Sequence, residues 1–91
     1  MTDINTLLAE RGKTHGKYED HARVTQQLKE IMHAGVKWNA LNNSEKEALE
    51  MIAHKIGRIL SGNPHFKDHW DDIAGYSTLV ANDVDRALAE L

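Results

Sequence analysis

Apolar residues recur along this chain at intervals of three and four, the spacing that lines one face of a helix. Residues 3–11 predict a short helix, with Asp3 as N-cap and Ile4, Leu7 and Leu8 on one side. Gly12 and Gly16 bracket a turn, RGKTHGKY. A second helix is predicted from about Tyr18 to Ala34, where Val24, Leu28, Ile31 and Met32 share a stripe and Gly35 ends the run. Residues 35–43 form a connection from which Trp38 and Leu41 pack back onto the bundle. Ser44 followed by Glu47 matches a capping box and opens a third helix. Its apolar face is wide: Leu49, Ile52, Ala53, Ile56, Ile59 and Leu60, with Gly62 and Pro64 as the stop. A fourth helix starts near Lys67 or Asp68 and carries Ile73, Val80, Val84, Ala87 and Leu91 on one face.

Strand signals are weak. Aromatic residues make up 5% of the chain, there is one proline, and runs of Val, Ile and Thr are scarce. The expected fold is therefore all-α: a small bundle of about four helices in one domain, residues 1–91. Residues 1–16 form its N-terminal helix and turn, and residues 17–91 its helical core. A chain of 91 residues builds a small core, so association into homo-oligomers is expected to help complete it.

Charge and composition narrow the chemistry. No cysteine is present, which excludes disulfides, a thiolate metal site and a cysteine nucleophile. A net charge of −3 argues against a nucleic-acid partner. No apolar run approaches the roughly 20 residues needed to cross a bilayer, and the first residues do not read as a signal peptide. The expectation is a cytoplasmic protein with neither a membrane nor a nucleic-acid partner. His65 and His69 stand four apart, but no further zinc ligands stand at a usual spacing.

The chemistry-bearing residues concentrate between Glu47 and Leu79. On a helical wheel the third-helix stripe centres near Ile56; Glu47, Met51, His54, Lys55 and Arg58 lie mostly away from it, and Glu50 lies at its flank. In the fourth helix Asp68, Asp72 and Tyr76 form an i, i+4, i+8 row. Acids on two neighbouring helices can hold Mg²⁺, which prefers oxygen ligands, while Lys55 and Arg58 can neutralise phosphate oxygens. The HGKY segment, with His15 and Tyr18, and Trp38 offer contacts for a base or sugar. Glu50 and Asp72 meet only if the loop between the helices lets them overlap. The same acids also have structural uses: Glu47 in the cap, and Asp68, Asp71 and Asp72 against the helix dipole.

Glu47-x-x-Glu50, followed by His69-Trp70-Asp71-Asp72-Ile73, resembles the all-α nucleoside triphosphate pyrophosphohydrolases of the MazG, dCTPase and dimeric dUTPase type. Their pattern is ExxE on one helix and ExxD on the next. The chain departs from it at His69, where that group has Glu. The KIGRI…D…DIAGY segment and the RGKTHGKYEDH segment are similar to small phage and prophage proteins of the same group, a likeness covering most of residues 10–80. The resemblance implies a helical bundle completed as a dimer or tetramer, with Mg²⁺ held by Glu47, Glu50, Asp68 and Asp72. It implies phosphate contacts from Lys55 and Arg58, and nucleoside contacts from His15, Tyr18 and Trp38 with Tyr76 in similar register. Glu50 and Asp72 would be the catalytic acids for hydrolysis of a (deoxy)nucleoside triphosphate to a monophosphate and pyrophosphate, in the host cytoplasm if the protein is phage-encoded.

Two other classes compete with that expectation. With position 69 changed, the fold could hold a nucleotide without cleaving it. It could also be a helical adaptor that binds a host protein through its surface.

Overall fold

A computed structural model describes residues 3–90 as four helices and one short turn of 3₁₀ helix. The helices are α1 (Ile4–His15), α2 (Tyr18–His33), α3 (Asn43–Ser61) and α4 (Lys67–Ala89), with the 3₁₀ turn at Trp38–Ala40. The all-α expectation holds. α3 is the centre: α2 and α4 pack along it, and α1 touches it and α2.

Local chemistry sets the boundaries. Asp3 caps α1 as expected, its side chain accepting from the Asn5 N–H at 3.4 Å. α1 then runs through Gly12 to His15, four residues further than its apolar pattern predicts, because the break comes only at Gly16 with φ of 82°. The capping box of α3 is Asn42 with Glu45, not Ser44 with Glu47. Asn42 Oδ1 accepts from the Glu45 N–H and Glu45 Oε1 accepts from the Asn42 N–H, both at 2.8 Å. Asn is as good an N-cap as Ser, so the earlier of two equally spaced pairs starts the helix. α4 begins at Lys67, where the pattern places it.

The core is thin. Ala48, Ala53 and Ile59 are its buried hydrophobic residues, all on α3. Several positions assigned to apolar faces are open instead. Ile31 is 73% exposed and Leu60 67%, and Ile4, Leu7, Leu8, Leu49 and Val84 are also exposed. Four helices offer α3 too few partners to cover every flank of its stripe. Leu91, placed on the α4 face by the pattern, lies outside the described residues. The surface of 6818 Å² exceeds, by roughly 1,400 Å², what a compact monomer of 10.3 kDa exposes. The shape, 53 × 27 × 25 Å, accounts for the excess. No helix among the described residues is long and apolar enough to cross a membrane.

Three glycines at two places let the elements approach closely. At Gly57 a Cβ would lie 2.3 Å from Thr25 Oγ1 and 2.7 Å from His21 Nδ1, so α2 packs directly on the α3 backbone there. Gly16 and Gly62 cross backbone to backbone: a Cβ on Gly16 would meet the Ser61 carbonyl oxygen at 2.1 Å, and one on Gly62 the Thr14 carbonyl oxygen at 2.4 Å. Gly75 differs, since a Cβ there meets nothing within 4 Å. Gly57→Ala should therefore destabilise the fold by about 1–3 kcal/mol through overpacking. Gly75→Ala should stabilise it by about 0.5–1 kcal/mol through helix propensity. Chemical denaturation of the two variants checks both signs.

Candidate functional site

An open cleft of about 720 Å³ lies where the end of α1 and the start of α2 fold over α3. Its position follows from the glycine crossing. The Thr14 carbonyl, at the last turn of α1, accepts the Asn63 N–H at 3.0 Å and lies 3.3 Å from His69 Nε2. This ties α1 to the loop between α3 and α4. Lys13 and Lys17 on the α1–α2 side, together with Arg11, face the cleft opposite Arg58 of α3. Leu8 and Ala9 supply an apolar wall, and Tyr18, 82% exposed, stands at the rim.

The cleft's charge is one-sided. Among the described residues four cationic side chains line it, and no carboxylate does. Lys13 is engaged by Glu10 at 3.1 Å in an exposed pair. Arg58 titrates below its usual value because it is partly buried and because the Arg11 guanidinium repels it; Asp72 and Tyr76 partly offset this. Guanidinium remains charged at any physiological pH. Like charges held together in a chain of net charge −3 leave the cleft complementary to an anion.

Three histidines complete the lining: His15, His21 and His54. His21 is buried, because Gly57 lets its ring sink against α3. Its Nε2 lies 3.2 Å from His54 Nδ1, and the two rings meet edge to face. Burial, then the charge of Arg58, lowers the titration of all three. For His54 the value falls from 6.5 to about 4, with His21 adding to the shift. His69 is the most deeply buried large side chain, 2% exposed, and packs between His15 and Phe66.

Of the residues singled out in the sequence, His15, Tyr18 and Arg58 come together in this cleft. The others do not join them. Lys55 is 8% exposed and pairs with Asp72 at 2.8 Å, a contact between α3 and α4. That hydrogen bond holds the Asp72 carboxyl below the usual carboxylate range. Trp38 packs beside His33, with Lys46 over its ring at 5.9 Å, and Tyr76 is half-buried on α4. Glu50 turns to α2, where Lys29 Nζ and His33 Nε2 each lie 3.7 Å from its oxygens. Glu47 and Asp68 are exposed. With Lys55 and Asp72 setting the register, Glu50 sits about 7.5 Å from that level along α3. Among the described residues no three His, Asp or Glu side chains are grouped to hold a metal ion. The four acids of a single chain thus do not fit a shared Mg²⁺.

Residues 2–84 match the family model described as DUF6378, a domain of unknown function. The chain belongs to the DUF6378 family. Neither a curated protein nor a solved structure matches it.

The histidines also set an acid limit on the family member's stability. A histidine whose folded value is depressed is neutral in the fold and takes a proton first in the unfolded chain. The stability this contributes is complete above pH 6.5 and is lost as the pH falls toward about 4, the folded value of His54. The low value of Asp72 adds a further loss in more acid solution, below its ordinary 3.8. Unfolding in urea at pH 7 and pH 4.5 should differ by roughly 1–2 kcal/mol, a figure already reduced for solvent screening. Equal stability at both values would contradict it.

Proposed function

We propose that this DUF6378 protein binds a phosphorylated small molecule of the nucleotide class in the cleft between the α1–α2 turn and α3. The observation that supports this most is the lining: Arg11, Lys13, Lys17 and Arg58 without a carboxylate, beside an apolar wall and an exposed tyrosine. Guanidinium groups recognise phosphate oxygens in bidentate fashion, and an aromatic face at the rim suits a planar base. In this reading the phosphates lie between Arg11 and Arg58 and the nucleoside lies toward Leu8 and Tyr18. The chain acts as a binding module, with no catalysis assigned to its single-chain acids.

The second reading keeps the MazG-like pyrophosphohydrolase. It draws on the surplus apolar surface, including Ile31, Leu79 and Leu88, which a second copy would cover. Association would also be needed to gather acids that one chain keeps apart. Glu47 and Asp68 are exposed and available for that, whereas Glu50 and Asp72 would have to leave their lysine partners.

Calorimetry against a nucleotide panel separates these readings. The binding reading expects a triphosphate or diphosphate to bind without Mg²⁺, and Arg58→Ala to weaken it at least tenfold, the loss of a charged hydrogen bond. Unchanged affinity in Arg58→Ala would contradict the cleft assignment. Pyrophosphate release with Mg²⁺ would favour hydrolysis, and in that case Glu50→Gln and Asp72→Asn should each abolish turnover while the helical fold persists. Full turnover in Asp72→Asn would remove that residue from the reaction.

A further inference from the structure

The paired histidines on the cleft wall have no part in holding a ligand by fixed charge. His21 Nε2 and His54 Nδ1 face each other at 3.2 Å, so one ring donates and the other accepts. His21 is buried against Gly57, and the Gly57 backbone near its Nδ1 works against the fall in its titration. Such a pair can accept one proton and keep its internal hydrogen bond. A second proton would put two donors face to face. In the tautomer in which His54 Nδ1 donates to His21 Nε2, His54 Nε2 is a bare acceptor, and one proton gained there turns it into an N–H donor.

We propose that the His21–His54 pair is a proton-taking contact of the cleft, gaining one proton when a phosphate-class dianion enters so that His54 donates to the anion. This rests on the anion-binding reading of the cleft and adds to it a coupling between ligand capture and proton uptake.

The charges around the pair explain the coupling. Arg11 and His15 approach from α1, Lys17 and Lys29 from α2 and its cap, Lys55 and Arg58 from α3, and His69 from α4. The neighbouring carboxylates are committed elsewhere, Glu50 to Lys29 and His33, and Asp72 to Lys55. Burial first, and then this cationic field led by Arg58, keep the pair neutral, with His54 at about 4. Two negative charges some 5 Å away in this open, solvent-filled cleft, at an effective dielectric of about 50 between that of a protein surface and water, would oppose that field and raise the pair by ~2 pH units. The general cations would hold the anion at any pH. The pair would strengthen its grip only where the solution can supply the proton.

Sulfate is the probe, because it keeps both charges throughout the range and any proton taken up belongs to the protein. Untagged protein is titrated with sulfate at pH 5 and pH 7 at constant ionic strength, following the Arg11 and Arg58 side-chain NMR signals and the ring signals of each histidine. The expected result is roughly tenfold tighter binding at pH 5, the change that a ~2-unit rise from about 4 produces. The His54 midpoint should rise by the same ~2 units in saturating sulfate. His54→Gln should flatten the pH slope, and the wild-type ring titration decides the matter if that variant does not fold. Equal affinity at both values with an unmoved His54 midpoint, while the arginine signals still shift, would overturn the proton coupling and leave the anion site standing. Arginine signals unmoved by sulfate at both values would overturn the coupling and the anion site together.

Discussion

The crossing of Gly16 over Gly62 is the constraint on which the rest of this structure depends. It brings two backbones within the reach of a hydrogen bond, and the Thr14 carbonyl uses that reach to accept the Asn63 N–H. A side chain at either glycine would hold the segments apart. Without the crossing α1 has little to hold it, because its own apolar residues are exposed and it packs on α2 and α3 only lightly. With it, the last turn of α1 is fixed over the C-terminal end of α3, and Arg11 and His15 are set opposite Arg58. The cleft is a product of this one backbone contact.

A second regularity follows from the pairing of charges. The acids that look available in the sequence are distributed to separate helix contacts: Glu50 binds across to α2, and Asp72 binds the nearly buried Lys55 from α4. Such pairs fix the register between helices and add little stability of their own. Lys55 could not be left alone at that depth, so Asp72 is part of the packing of α4. In the cleft, Arg11, Lys17 and Arg58 meet no carboxylate among the lining residues, and Lys13 is held by Glu10 in an exposed pair. Glu50 and Asp72 are thus used between helices with Lys29 and Lys55, while Arg11, Lys17 and Arg58 gather at one opening.

Much of the fold was legible in the chain. Asp3, Gly16, Gly35, Gly62 and Pro64 punctuate it, and the four helices lie between those marks. Periodicity also located the α3 stripe, but could not say how much of it the other helices cover. The site was legible only in part. His15 and Tyr18 stood out in the HGKY segment and Arg58 as a phosphate-neutralising cation of the third helix, and all three line the cleft. Arg11 and Lys17 did not, since ordinary surface cations give no local signal until the turn folds over α3. His21 and His54 were missed for a related reason: Gly57, the notch that joins them, reads in the sequence as a mere weakness in a helix.

The most direct measurement is a crystal structure of the protein grown with Mg²⁺ and a non-hydrolysable nucleoside triphosphate. Phosphates should be seated between Arg11 and Arg58, with Lys55 still bound to Asp72 and Glu50 still facing α2. Phosphates found instead beside Glu47 and Glu50, bridged to them by the cation, with Arg11 and Arg58 in open solvent, would contradict it.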